Sequence, residues 1–516
     1  MHFSFHVAVT LATIASLGTS PAEAGEPTAR ELVEHTIATV GEKRDLHTLR
    51  FVQSSAQIVS HDVVENDHLG PPYILLGATQ AFVTDDLKGD RRLIVEASQP
   101  GPDFRPLRIT RSLYTHDRLR SESTVDGKVS ATPTMPATPS WETHDPIRAL
   151  LLAEQAKDLQ REPDVTMHEA IQHVLSFRNG AYRVRIYIDA LTELPSATEA
   201  TIALRHAVSQ EISWNGWGDV VERTEYLNWD LHDGVRFPQQ WDMFRNGALF
   251  RTMTYADVRF DTSPGEEHFA MQTPPDGALP GYADELHLGQ RVTYAPDPKR
   301  PVEEIAPDIV QIPNSWYTTL VRQDDGIVII DAPISAGYSA QVLAEAARRF
   351  PGVPIKAVIT STGFYWHIAG VREYAARGIP IYVRDRNAPI VRDILASPHT
   401  IAPDALARAP RQADIRPVST RTVIGTGRHA IVVIPVRYGE QPMVMTWIAD
   451  AKLLHTAEMV QPLGPNGSLL FPEALHELTQ SVRDAGIDTY GLRMIGMHMS
   501  PTPWTTLEET LHAAGG

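Results

Sequence analysis

Residues 358–383 read VITSTGFYWHIAGVREYAARGIPIYV. An apolar strand, Val358-Ile359-Thr360, runs into a short loop that ends at His367-Ile368-Ala369-Gly370. The helical pattern AGVREYAARG follows, and then a second apolar strand, IPIYV. A catalytic metal-binding loop placed after such a strand would carry several His and Asp side chains. Here one His stands among Thr362, Phe364, Tyr365 and Trp366. The stretch therefore has the form of a catalytic strand-loop-helix with most of its chemistry replaced.

The same alternation extends in both directions. IVQIP reads as a strand, WYTTLVRQDDGIVIIDAP as two strands joined at Asp-Asp-Gly, YSAQVLAEAARRF as a helix and IKAVIT as a strand. Strands separated by helices imply a layered α/β arrangement from about residue 305 to the end. Before it lies a Pro-rich stretch, TPPDGALPGYADE to YAPDPKRPVEEIAPD, which marks a linker over 274–304.

The first half has a different grammar. TARELVEHTIATVGEKR, residues 28–44, reads as an amphipathic helix: Thr28 and Glu31 have capping-box spacing, and Leu32, Val33, Ile37 and Val40 share one face. After it the chain is β-rich. The clearest part is DVVERTEYLNWDLHDGVRFPQQWDMFRNGALFRTMTYADVRFD, residues 219–261. Turn signals at Asp233-Gly234 and Asn246-Gly247 interrupt an alternating pattern, which predicts an antiparallel meander. One helical interlude, DPIRALLLAEQAKDLQ, breaks the β region. Trp214, Trp217, Trp229 and Trp241 are read first as core, and second as lining for an apolar ligand on a curved sheet.

Composition narrows the function. The 516 residues are 42% hydrophobic and 21% charged, as in ordinary globular proteins, and the length calls for more than one domain. Acidic residues number 63 against 46 basic, a net charge of -17, which disfavours nucleic acid and anionic membranes as partners. The absence of cysteine excludes disulfides, thiolate metal sites and a Cys nucleophile. At the N-terminus, VAVTLATIASLG with Ala22-x-Ala24 before Gly25 reads as a signal peptide over 1–24. No later run reaches the roughly 18 apolar residues of a membrane span. The expectation is a periplasmic or secreted protein with a domain over 25–273, the linker, and a second domain over 305–516.

GIVIIDAP, whose strand ends in Asp331, the opening stretch, MVMTWIADAKLLHTAEM and LRMIGMHMSPTPW occur in the order found in the metallo-β-lactamase superfamily, which residues 305–516 resemble. The resemblance implies an αββα sandwich and an α+β, two-domain chain. It also implies where metal ligands would fall. The family's H-x-H-x-D-H loop, anchored at His367-Ile368-Ala369-Gly370, lands on Thr362, Phe364, Trp366 and His367, so only the last ligand is kept. The later-loop His falls near Arg437 to Gly439, where there is none. The bridging carboxylate falls on Glu458 and the final His on His498. His367, Glu458 and His498 would form a two-His, one-carboxylate set for a single divalent ion, with zinc the metal the family suggests. Tyr365, Tyr438 and His455 fall nearby; the tyrosines are candidates to orient or protonate a substrate. The first half resembles, in architecture alone, the LolA-like half-barrel of periplasmic lipid carriers.

Two functions stay open on the sequence. One is a hydrolase that uses one residual metal to activate water against an ester-like or amide-like bond. The other is a catalytically inactive relative that binds a small molecule or a lipid-like ligand. The plain alternative for the three residues is that His367 caps a helix, Glu458 makes an ion pair and His498 bonds to backbone.

Overall fold

The computed structural model describes residues 27–65, 70–98, 107–116, 118–132, 134–137, 139–204, 209–274, 288, 300–438, 441–460, 469 and 472–515. The expected signal peptide, most of the Pro-rich linker and residues 461–468 lie outside them. The fold is mixed α+β with large antiparallel sheets.

The leading helix spans Ala29–Gly41 and starts where its capping box predicts. Thr28 Oγ1 accepts from the Glu31 amide (3.2 Å), and Glu31 Oε2 accepts from the Thr28 amide (2.8 Å). This satisfies two amides that the first helical turn would otherwise leave unpaired. Its apolar face, Leu32, Val33, Ile37 and Val40, is buried. The helical interlude forms Pro146–Gln155, with Asp145 accepting from the Arg148 amide.

Both helices pack on one face of a 14-stranded antiparallel sheet. Its order follows from two meanders. The first runs from Phe51–Asp62 outward to Lys128–Ala131, and the second from Gln160–Met167 inward to Ala248–Phe260. The first and last long strands then pair at the centre, with Val52 opposite Phe260 and Ser60 opposite Arg251. Asp233-Gly234 and Asn246-Gly247 become two-residue hairpin turns, all four residues with positive φ, as the right-handed strand twist requires. Trp214 and Trp241 are core, with Trp217 and Trp229 packed against its edge.

The C-terminal region holds two further sheets. One has seven strands in sequence order, from Glu303–Ala306 through Gly326–Ile330, Ile355–Thr360 and Ile381–Arg384 to Ile415–Val418. The other has six, from Thr422–Ile424 through Gln441–Ile448, Leu453–His455 and Arg493–Ile495 to Thr502–Pro503. One apolar cluster joins the inner faces of the two sheets, including Val328, Ile330 and Ile359 from the first and Val433, Val444 and Ile495 from the second. A second fills the space between the seven-stranded sheet and helices Ala336–Arg349, Val371–Ala376 and Ala388–Ala396. A third lies between the six-stranded sheet and helices Pro472–Asp484 and Trp504–Ala513.

The sheet region and the C-terminal region touch through residues 214–219. Asp219 accepts from the amides of Thr400 (2.9 Å) and Ile401 (3.1 Å) and from Thr400 Oγ1 (2.5 Å). Its own amide donates to the Pro398 carbonyl at 2.8 Å. Gly216 lies so close to Ala369 that a Cβ there would be 3.1 Å from the Ala369 Cα.

Candidate metal centre

Strands Leu453–His455 and Arg493–Ile495 run parallel and adjacent, so their C-terminal ends open at the same edge of the six-stranded sheet. The chain past the first delivers Glu458, and past the second His498. The end of strand Ile355–Thr360, in the facing sheet, leads through Ser361–Phe364 to a short helix, Tyr365–Ile368, that carries His367. Ligand sites of layered α/β folds collect at such carboxyl ends.

The three side chains meet: one donor atom from each lies within 4.8 Å of the others. His498 Nε2 is 2.8 Å from Glu458 Oε1, and His367 Nε2 is 2.8 Å from Glu458 Oε2. His367 is fully buried, and the other two are partly buried. The first contact is a well-directed hydrogen bond. The second is short but oblique, and among the described residues His367 Nε2 has no hydrogen-bond partner.

The surroundings fix the ring orientations. His498 Nδ1 lies 3.0 Å from the Ser315 carbonyl, which can only accept, so Nδ1 carries a proton and donates it. His367 Nδ1 lies against Met497 Sδ, itself only a weak acceptor, which favours a proton there too. Both Nε2 atoms therefore turn their lone pairs toward Glu458 when the rings are neutral. Two imidazole lone pairs and a carboxylate oxygen converging without a proton between them fit a divalent cation. Without metal, a proton takes that place on His498. Burial disfavours the Glu458 charge, but His367 and His498 outweigh it and hold its carboxyl well below the usual range. Burial likewise opposes the His498 charge, and Glu458 outweighs it and raises the imidazole.

The loop before His367 is anchored from beneath. Asp331 is fully buried at the end of strand Gly326–Ile330 and accepts from the Ser361 amide (2.7 Å) and hydroxyl (3.1 Å). His455 Nε2 is 3.3 Å from Asp331, and His455 Nδ1 accepts from the Ala457 amide at 3.2 Å. One buried chain thus links the loop before His367 to the turn that presents Glu458. The sequence pattern placed His455 near the site and Asp331 at the end of a strand; their role as a tie between two loops is visible only in three dimensions.

The other sequence candidates separate. The ring of Tyr365 packs on Trp214 and Trp217, with centroids 5.4 and 5.2 Å away, and its amide donates to the Val64 carbonyl. It is part of the contact with the sheet region, on a different side of the short helix from His367, and is not brought to the three ligand candidates. The reason is spacing: residues two apart on a helix do not share a face. Burial pushes its hydroxyl well above the ordinary tyrosine range, so it is held neutral. Tyr438 ends strand Ile431–Tyr438, and its side chain lies outside the described residues, as do the positions around Arg437 to Gly439. Thr362 is buried, with its hydroxyl accepting from the Phe364 amide. Phe364 meets the His367 ring edge-on at 5.9 Å, and Trp366 stacks on Trp316 at 4.9 Å. Trp316 and Ser315 were missed in sequence; nothing local marks them, and Ser315 reaches the site from 183 residues before His498.

No family model matches the chain. Among curated proteins, "Probable metallo-hydrolase YflN" of Bacillus subtilis (strain 168) is 27% identical over 212 residues, 40% of this chain and 77% of that protein. Among solved structures, a metallo-beta-lactamase from Pontibacter korlensis aligns at 15% identity and a TM-score of 0.31, over 42% of this chain and 99% of its own. The metallo-beta-lactamase FIM-1 from Pseudomonas aeruginosa, solved in its mono-zinc form, aligns at 14% identity and a TM-score of 0.30, over 42% of this chain and 94% of its own. Over about 40% of its length, this chain is similar to a curated probable metallo-hydrolase.

Proposed function

We propose that the chain is an exported hydrolase of the metallo-β-lactamase type with one metal, held by His367, Glu458 and His498, acting on an ester-like or amide-like bond. The convergence of these three donors at the edge where two strands end carries the reading. The similarity to a curated metallo-hydrolase supports the reaction class. In this reading residues 305–516 form an αββα domain, and residues 25–273 a separate helix-and-sheet domain reached through the linker.

When bound, a divalent ion supplies Lewis acidity and lowers the pKa of water toward neutrality. The chain supplies the rest. The Ser315 carbonyl holds His498 in the tautomer whose Nε2 is a ligand, and Met497 does the same for His367. Glu458, kept ionised by its two neighbours, offers an oxygen to each side. Trp366 and Trp316 form a stacked apolar wall beside His367 that keeps bulk water back and strengthens the local electrostatics. Phe364 closes another side of the same imidazole.

A second reading rests on the same geometry. Glu458 reaches both imidazoles at 2.8 Å, so the three residues form a closed ion-pair cluster with no metal at all. The protein would then be an inactive relative that binds a small-molecule or lipid-like ligand. Metal analysis separates the two. The hydrolase reading expects one equivalent of zinc, manganese or iron at this site, released by E458Q or H498A in protein that still gives a native circular dichroism spectrum. If the wild-type chain binds no metal there under saturating zinc, manganese and iron, the second reading stands.

A further inference from the structure

A second group of ligand-type side chains lies far from the first, on the sheet region. Asp90 sits in the turn between strands Ile74–Asp86 and Arg91–Ser98. His116 sits in the turn after strand Arg108–Thr115. Glu142 ends the short helix Pro139–Glu142. One donor atom from each lies within 4.8 Å of the others.

The distances have a specific form. His116 Nδ1 is 3.6 Å from Asp90 Oδ2 and 3.7 Å from Glu142 Oε1. Both are too long for hydrogen bonds, which run about 2.7–3.2 Å. They suit ligands of a common ion: two donors each about 2.1 Å from a tetrahedral centre stand about 3.4 Å apart. The remaining oxygen of each carboxylate is already held. Arg148 Nη1 donates to Asp90 Oδ1 at 2.8 Å, and Asn179 Nδ2 donates to Glu142 Oε2. Each acid is thus oriented so that its other oxygen faces His116 Nδ1.

Glu142 supplies an independent sign. The residue is only 7% exposed, and its Oε1 receives no hydrogen bond from any described residue. Burial pushes its carboxyl up, Asn179 offsets part of this, and the Asp90 charge adds to it. That Oε1 oxygen is left at the water-facing edge of a largely buried side chain, where a cation facing it would offset the cost of burying the charge. Arg148 does not fill that role, since its guanidinium is engaged by Asp85 and by the other oxygen of Asp90. The backbone holds the group in place: Trp141 Nε1 donates to the His116 carbonyl at 2.9 Å, and the His116 amide faces the Asp90 carbonyl at 3.4 Å. Asp90 and His116 both adopt left-handed backbone, with φ of 49° and 45°.

We propose that Asp90, His116 and Glu142 bind one divalent cation of the zinc type, clipping two hairpin turns to the short helix Pro139–Glu142. One imidazole and two carboxylates suit zinc or manganese better than calcium or magnesium, which favour all-oxygen shells. The side open to water, where His116 is 80% exposed, leaves room for solvent to complete the shell.

The test uses the full chain carrying H367A and H498A, which removes nitrogen ligands of the C-terminal site. Zinc titrated into this metal-stripped protein should bind at one equivalent by calorimetry. Adding H116A, or separately E142Q, should weaken that binding at least tenfold. No zinc or manganese binding by the natively folded parent, or binding unchanged by both H116A and E142Q, overturns the proposal. If the H367A/H498A chain does not fold, the comparison is wild type against H116A alone, a change at an exposed ring. Loss of one zinc equivalent supports the site, and an unchanged stoichiometry overturns it.

Discussion

His455 is not one of the three proposed ligands, yet it joins the loops that carry two of them. It faces Asp331 through Nε2 and takes the Ala457 amide through Nδ1, one residue before Glu458. Substituting Gln keeps much of the volume but cannot span both contacts. H455Q is expected to weaken zinc binding at the C-terminal site by on the order of tenfold, as changes behind metal ligands do. Circular dichroism should stay native, and a zinc titration in an H116A background reads the change. The electrostatics add a pH signature. The folded His498 imidazole is raised, so its pairing with Glu458 stabilises the metal-free chain fully below the unfolded histidine value of about 6.5. That contribution is lost as pH rises through the folded value, while zinc, which must displace the same proton, binds more tightly. Thermal melts of stripped protein should therefore lose stability above about pH 6.5 relative to H498A, and zinc affinity should climb over the same range. His367, Glu458 and His498 were legible in the sequence because each follows a strand whose order matches a known pattern. Ser315 and Trp316 were not, because their contacts depend on tertiary closure alone.

Among the secondary-structure elements, local chemistry was read well where it is self-contained. The capping box at Thr28 and the hairpins at Asp233-Gly234 and Asn246-Gly247 depend on residues within four positions of one another. T28A should accordingly cost about 1 kcal/mol, read as a lower denaturant midpoint at unchanged slope. What local pattern could not supply is the closure of the large sheet. Strand Phe51–Asp62 pairs with Ala248–Phe260 across nearly the whole region, and no short-range signal encodes that partner. The short helix bearing His367 poses a similar case. It is followed by Gly370, whose amide donates to the Ala332 carbonyl and where a Cβ would stand 2.2 Å from Ser339 Oγ and 2.7 Å from the Ser335 carbonyl. Backbone is one of the obstructing groups, so the helix itself must shift. G370A should destabilise the chain by about 1–3 kcal/mol. Because His367 moves with the helix, zinc affinity at the C-terminal site should fall more than the H116-dependent affinity, which lies on another sheet.

Across the whole molecule, the short helix faces two ways. His367 meets Glu458 on one side, while Tyr365 packs on Trp214 and Trp217 of the sheet region on the other. The contact is completed by Asp219 and by His399, whose Nε2 lies 3.3 Å from the Gly216 carbonyl. Burial and then Arg372 depress the His399 imidazole, which therefore sits neutral in the contact. A histidine held below its unfolded value of about 6.5 binds fewer protons folded than unfolded, so its contribution is present above that pH and is lost as pH falls toward the folded value. Removing the Asp219 carboxylate acts on the same surface by a separate route: D219A leaves the Thr400 hydroxyl and two amides without their acceptor. Calorimetry of wild type at pH 7.5 should show the two regions unfolding together. In D219A, and in wild type taken toward pH 5, the melt should split into two transitions, and H399Q should remove most of the pH dependence. A single transition in D219A at every pH would show that Tyr365 and the tryptophans suffice to couple the regions. The zinc affinity of the C-terminal site should then be insensitive to Asp219 as well, because the helix that carries His367 would be held by its aromatic side alone.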